Sequence, residues 1–148
     1  GGAGAAVAHA LLAEGVERLV LFDVDPARAQ ALADNLNQHF GAPRALAGSD
    51  LAGALGDAQG LVNTTPVGMA KLPGMPVPAE LLRADLWVAE VIYFPLETEL
   101  LRQARALGCR TLDGGTMAVF QAVKAFELFS GVAADAARMQ AHFASLGD

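Results

Sequence analysis

Three glycines in the first four residues, GGAG, run directly into the alanine-rich stretch AAVAHALLA. Nineteen residues after Gly4 a carboxylate, Asp23, closes the apolar run RLVLF. Together these residue types can hold a dinucleotide. A helix start bared of side chains offers unpaired N–H groups and the positive end of the helix dipole to a phosphate. A carboxylate at the end of the next strand can accept hydrogen bonds from ribose hydroxyls. A Gly-x pair immediately before Gly1 would complete the pattern G-x-G-x-x-G, with Gly1 and Gly4 as its second and third glycines. No Gly-Lys-Ser or Gly-Lys-Thr follows, which argues against a nucleoside triphosphate loop. The plain alternative is a helix whose glycines serve packing, with Asp23 and Asp25 as capping residues, and Asp25 fits that role better than Asp23.

Asp23 also bears on which dinucleotide is held. A 2′-phosphate about 4 Å from that carboxylate would be opposed by about 4 kcal/mol per unit charge at an effective dielectric near 20, before screening. NAD is therefore expected in preference to NADP. Arg28, in the first turn of the following helix, could offset part of this repulsion.

Three further clusters carry hydrogen-bonding groups on apolar backgrounds. NTTPVGM supplies the hydroxyls of Thr64 and Thr65, with Pro66 fixing the chain path. Tyr93 ends the run LWVAEVIY with a phenol, and Gln121 stands one helical turn after Met117, on the same helix face. Such donors and acceptors suit a ribose, a nicotinamide or a polyhydroxylated substrate. Read singly, each is as readily a turn, a core tyrosine with a wet tip or a solvated glutamine. No cluster has metal-ligand spacing, and no metal is expected.

The elements that position these residues alternate in kind. RLVLFDVD, RALAG, GLVNTTP, LWVAEVIY and CRTLDGG are short apolar runs that predict five strands. PARAQALADNLNQHF predicts a helix capped by Asp25 with Pro26 in its first turn, SDLAGALGDA a short one, and ETELLRQARALG one closed by Gly108. Helices from about Thr116 to Phe129 and Asp135 to Leu146 follow, and the proline-rich VGMAKLPGMPVP reads as a loop with a turn. Strands separated by helices imply right-handed crossovers and an α/β fold: a three-layer, Rossmann-like parallel sheet with helices on both faces. In such sheets ligands bind beyond the carboxyl ends of the strands, where the clusters above stand. The first strand of that sheet would precede Gly1, so a truncated first strand and an unpaired flank in the sheet are expected.

With 148 residues and 53% hydrophobic content, the chain is expected to form a single domain over residues 1–148. A net charge of −6 argues against a nucleic acid or an anionic membrane surface as partner. No apolar run reaches the roughly 18 residues of a membrane span, and the single Cys109 reads as a buried apolar residue. A cytoplasmic protein, monomeric or homodimeric, is expected.

In order and spacing, the glycine start, LFDVDPARAQALA, NTTPVGM, YFPLETELL and DGGTMAVFQAVKAFELFSG resemble the C-terminal, cofactor-binding domain of the shikimate dehydrogenase family, which includes the quinate/shikimate dehydrogenases. The resemblance covers nearly the whole chain. It implies reversible oxidation of a hydroxyl of shikimate or quinate with a nicotinamide cofactor. It places Gly1, Gly2 and Ala3 against the pyrophosphate and Asp23 against the adenosine ribose, with Val24 and Arg28 beside it. It sets Thr64, Thr65, Pro66 and Val67 along the middle of the cofactor and Val91 and Gly114 beside the nicotinamide. Tyr93 and Gln121 would reach the substrate, and Met117 would line the pocket. NADP-dependent members carry an Asn-Arg-Thr type segment where this chain has Asp23-Val24-Asp25, which places it nearer the NAD-using branch.

The family's catalytic lysine and aspartate belong to an N-terminal substrate domain with no counterpart in this sequence, and neither Lys71 nor Lys124 matches them. Hydride transfer from an alcohol also needs a group that takes the hydroxyl proton. A phenol such as that of Tyr93 is a poor base at neutral pH. Asp113 is a second choice, and His9, His39 and His142 lie on helices away from the strand ends. The chain is therefore expected to bind NAD and complete one wall of the substrate pocket. A non-catalytic NAD-binding sensor or assembly module, and a related two-domain dehydrogenase acting on a folate or amino acid, stand as the alternatives.

Overall fold

The computed structural model describes residues 1–145 and divides the chain into two compact units, Gly1–Gln59 and Gly60–Asp148. Each is an α/β unit built on parallel strands flanked by helices. Among the described residues no helix is long and apolar enough to cross a membrane.

The first unit contains α1 (Gly2–Ala13), β1 (Leu19–Leu21), α2 (Pro26–Phe40), β2 (Ala45–Ala47) and α3 (Leu51–Asp57). β1 and β2 pair in parallel, Leu19 opposite Ala45 and Leu21 opposite Ala47. Ala8 and Leu12 of α1, Ala33 and Leu36 of α2 and Ala45 of β2 form its core, with Leu19, Leu21, Leu32 and Phe40 packed against them. The alanines let the helices approach, and the leucines supply the buried area, at about 1.5–3 kcal/mol for each large side chain fully removed from water. Two polar residues lock this arrangement. Asn37 grips Ala45 through both backbone groups at 2.8 Å, and Arg44 donates to the carbonyls of Leu12 and Val16 beyond the end of α1. Asp25 caps α2 by accepting from the Ala27 amide, with Pro26 in the first turn, as the sequence predicts.

The second unit contains β3 (Gly60–Asn63), a short 3₁₀ turn (Ala79–Leu81), β4 (Trp87–Glu90), α4 (Glu99–Ala106), β5 (Arg110–Leu112), α5 (Gly114–Ser130) and α6 (Ala136–Ser145). Its strands run parallel in the order β3-β4-β5, with Asn63 opposite Glu90 and Trp87 opposite Arg110. α4 packs on β4 and β5, and its Leu100, Leu101 and Ala104 are wholly buried. Thr98 caps α4 and Asp113 caps α5. Cys109 is buried, as expected. The proline-rich segment is a loop with a single antiparallel bridge, Met69 to Leu72. The predicted end of the last helix at Leu146 lies outside the described residues.

Four boundaries differ from the sequence reading, each for a local reason. β1 stops at Leu21 instead of running to Asp25, because Asp23 accepts from the Asp25 amide and turns the chain. β4 stops at Glu90 instead of Tyr93, because the Ile92 amide bonds the Glu90 carboxylate and leaves the ladder. Gly114 and Gly115 open α5 and do not end β5, since Asp113 accepts from the Gly115 amide. The glycines at the start are likewise inside a helix: Gly1 is the N-cap and Gly2 to Gly4 form the first turn of α1.

Candidate functional site

In the first unit the predicted phosphate-facing and ribose-facing residues lie at element termini. Gly1, Gly2 and Ala3 are exposed at the start of α1. Nothing lies within 4 Å of the position a Cβ would take at Gly1 or Gly2. Packing within this chain therefore does not demand glycine at those two positions. Asp23 is half-buried beyond the end of β1. Its Oδ1 accepts from the Asp25 amide at 3.0 Å, and its Oδ2 has no hydrogen-bond partner among the described residues. One oxygen shapes the turn and one remains to accept. Val24 is fully exposed. Arg28 is paired with Asp25 at 3.7 Å (Nε to Oδ2), so its charge is directed to the cap, with both side chains largely in water. His9 and His39, distant from the strand ends as expected, bond one another through their Nε2 atoms at 3.2 Å.

An open recess of about 260 Å³ also lies in this unit, lined by Val20, Leu46, Gly48, Asp50 and Ala54 among others. None of the residues that the sequence singles out lines it, and it carries no functional argument.

In the second unit the NTTPVG segment is a structured turn. Asn63 Oδ1 accepts from both the amide (3.0 Å) and the hydroxyl (2.8 Å) of Thr65. Thr65 Oγ1 in turn accepts from the Val67 amide at 3.1 Å. Thr65 is therefore largely committed to holding the loop. The half-buried Thr64 has no internal hydrogen bond among the described residues, so of the two hydroxyls it is the one available to a ligand. Pro66 is exposed at the turn and Val67 is half-buried, its carbonyl accepting from Asn63 Nδ2 at 3.0 Å. Gly68 closes the turn at φ 113°, a conformation that side-chain-bearing residues rarely adopt, and a Cβ there would stand 3.2 Å from Ile92 and 3.4 Å from Thr98.

Beneath this loop lies a group that the sequence reading did not pick out. Glu90, 3% exposed, accepts from Asn63 Nδ2 through both oxygens at 3.0 Å, from the Ile92 amide at 3.1 Å and from the Thr98 hydroxyl at 3.1 Å. Thr98 Oγ1 accepts from the Leu101 amide at 3.3 Å, so the network ends in the cap of α4. Each of these hydrogen-bond partners donates to the carboxylate. Burial nonetheless pushes the Glu90 carboxyl above the ordinary carboxylate range, because desolvation outweighs the bonds from Asn63, Ile92 and Thr98. A signal for it exists in the sequence: a lone charge within WVAEVI, a run otherwise fit to be buried, must find partners.

The remaining predicted residues follow β4 and open α5. Val91 is half-buried and its amide bonds the Asn63 carbonyl at 3.1 Å. A Cβ on Gly114 would meet the carbonyl oxygens of Val91 and Ile92, so only glycine lets α5 begin there. Met117 is half-buried, and Gln121 is exposed one turn later. Tyr93 is 51% exposed. Neither the Tyr93 hydroxyl nor the Gln121 amide has a partner among the described residues. Asp113, the second-choice base, caps α5 and stands 4.0 Å from Arg105, which also binds Glu97 at 2.7 Å. It is a structural carboxylate. Lys124 pairs with Glu127 at 3.1 Å. Among the described residues no group of three or more His, Cys, Asp or Glu side chains could hold a metal ion.

No protein-family model matches the sequence. Over 99% of its length the chain is 62% identical to a shikimate dehydrogenase (NADP(+)) from Streptomyces avermitilis, of which it covers 51%. It is 52% identical, again over 99% of its length, to a quinate/shikimate dehydrogenase (NAD(+)) from Corynebacterium efficiens, covering 52% of that protein. The solved quinate dehydrogenase from Corynebacterium glutamicum in complex with NAD superposes on 98% of this chain and 52% of its own, with a TM-score of 0.94 and 47% identity. The chain thus spans about half the length of the curated relatives it matches.

Proposed function

We propose that the chain is the Rossmann-like, cofactor-binding half of an enzyme of the shikimate and quinate dehydrogenase family, and that it binds NAD and forms one wall of the pocket in which a hydroxyl of shikimate or quinate is oxidised. The relatives' names divide between NAD and NADP, so the choice is argued from this chain. One observation carries it: Asp23 keeps an acceptor oxygen unpartnered at the end of β1, while the nearby Arg28 is paired with Asp25. A carboxylate so placed welcomes two ribose hydroxyls and repels a 2′-phosphate.

In the first unit, the N-cap Gly1 and the first-turn amides of α1 at Gly2 and Ala3 face the pyrophosphate, and Asp23 with Val24 and Arg28 forms the adenosine end. In the second, Thr64, Thr65, Pro66 and Val67 face the middle of the cofactor. Val91, Gly114 and Met117 border the nicotinamide. Bound NAD supplies the hydride acceptor. Tyr93 and Gln121, whose polar groups lack partners among the described residues, hold and orient the substrate hydroxyls. Proton removal is left to residues outside this chain, because Glu90 is buried under its donors and Asp113 is spent on a helix cap. The protein is read as a cytoplasmic monomer or homodimer, the oligomeric part of which sedimentation resolves.

Calorimetric titration of the chain with NAD and NADP tests the cofactor choice. NAD binds more tightly, and Asp23→Ala narrows the gap. Equal affinities in the unaltered chain overturn the argument from the carboxylate. A turnover assay with shikimate and quinate tests the division of labour: robust oxidation by this chain alone would refute it.

A further inference from the structure

We propose that Glu90 is a positioning residue for the nicotinamide end of the site, holding the Asn63–Val67 loop and the Ile92–Tyr93 backbone in one fixed arrangement from below. The inference rests on the reading of a nicotinamide cofactor given above. It goes beyond it by naming a buried residue that touches neither cofactor nor substrate.

The argument begins with what the carboxylate joins. Asn63 ends β3 and Glu90 ends β4, directly opposite in the parallel register. Asn63 Nδ2 reaches both Glu90 oxygens and the Val67 carbonyl, while Asn63 Oδ1 takes the Thr65 amide and hydroxyl. Glu90 therefore shares with Thr65 and Val67 in orienting the Asn63 amide, and it is the contact that ties the turn containing Thr64, Thr65 and Val67 to β4. On the other side the Ile92 amide bonds Glu90 Oε1, which lifts the chain out of the ladder just before Tyr93. The same peptide groups, the Val91 and Ile92 carbonyls, abut Gly114 at the start of α5. One side chain thus fixes three segments that border the proposed nicotinamide site.

Stability alone does not call for a carboxylate here. Val88, two residues earlier on the same face of β4, and Leu100 and Leu101 of α4 are all buried, and an apolar side chain at position 90 would suit such surroundings. Exchanging buried ionic groups for apolar ones of similar volume is often neutral or stabilising. What an apolar residue cannot do is orient the Asn63 amide and the Ile92 N–H. Protonation would weaken the same arrangement, since a neutral acid accepts from its three donors less strongly than a carboxylate does.

The test compares NAD with ADP, which lacks the nicotinamide half, on the full chain and on Glu90→Gln and Glu90→Met. The expected result is a loss of NAD affinity of about tenfold in both variants, the scale of an unpaired buried donor, with ADP affinity unchanged. Backbone amide exchange at Thr65, Val67 and Ile92 should accelerate in the variants while that of Val88 stays slow. In the parent, NAD affinity should fall on acidification before the chain unfolds, and Glu90→Met should abolish that acid limb. Unchanged NAD affinity in variants that fold, or equal losses for NAD and ADP, would overturn the proposal. A parent that binds ADP but shows no gain from the nicotinamide half would instead sink the underlying reading. If both variants fail to fold, Thr98→Val, which removes one donor only, decides by the same NAD to ADP ratio: a several-fold fall supports the proposal and an unchanged ratio ends it.

Discussion

The two units place their predicted site residues by opposite means. At the adenosine end, Asp23, Asp25 and Arg28 are arranged by contacts within five residues of sequence: an Asx turn, a helix cap and an i,i+3 ion pair. At the proposed nicotinamide end, short bonds from Asn63 to Thr65 and Val67 shape the loop, and a carboxylate 27 residues from Asn63, joined to a threonine 8 residues further on, supports it from beneath. Short-range devices cost little chain entropy and leave the groups exposed. Long-range ones need the sheet and α4 already packed, and they give a more rigid rim. The difference suits the proposed ligand. The adenosine moiety only needs to be held, whereas a nicotinamide ring must present one carbon to the substrate within a few tenths of an ångström.

This contrast is open to test. The largest effect is expected at Gly114, where Gly114→Ala drives a methyl into backbone carbonyls that cannot swing aside. A stability loss of about 1–3 kcal/mol, typical of overpacking, should appear in urea unfolding. Gly2→Ala adds the same methyl where no atom lies within 4 Å. It should leave stability within about 0.5 kcal/mol and weaken NAD binding instead. A stability loss at Gly2 equal to that at Gly114 would erase the distinction between the two helix starts.

Next in size is Asp25→Ala, which removes the α2 cap and should cost about 1 kcal/mol. Because the device is local, exchange at Thr65 and Ile92 should not change, in contrast to the Glu90 variants.

The smallest effects concern pH, and their signs oppose. Glu99 is held down to about 2 by the Arg102 guanidinium and the Gln103 amide. Its folded value lies below its unfolded one, so its contribution is present above the ordinary carboxylate range and lost as pH falls toward 2. The pair is exposed and its effect on stability small. Glu90 is raised by burial, so its contribution is complete below the ordinary range and lost as pH rises through its folded value. Glu99→Gln should flatten the acid side of the stability profile, and Glu90→Gln the fall that sets in as pH rises above the ordinary carboxylate range. Profiles shifted the same way by both substitutions would contradict the assigned environments.

Much of the fold was legible because its signals are local. Asp25-Pro26 announced the start of α2, and Gly108 ended α4 at φ 87°. Five strands alternating with helices announced a parallel α/β fold, and all three described strand pairings are parallel. The ends of β1 and β4 were misread because side-chain acceptors, Asp23 and Glu90, take amides that hydrophobicity alone assigns to the strands. Glu90 itself escaped notice because a charge in a strand has no periodicity of its own. Its meaning comes from Asn63 and Thr98, which only folding brings within 3.0 and 3.1 Å.

The sequence by itself determined the kinds of groups at the strand ends, the acidic acceptor at Asp23 and the glycines that free the first amides of α1. Those are properties of residue type and short spacing, where backbone geometry leaves few choices. Only the tertiary structure decided which of those groups remain available. Thr65, Arg28 and Asp113 are drawn into the chain's own hydrogen bonds and ion pairs, while one Asp23 oxygen, Thr64, Tyr93 and Gln121 are left open. It also decided which partners the buried Glu90 carboxylate finds, because the donors that offset part of the cost of desolvating its charge converge on it only in the folded chain.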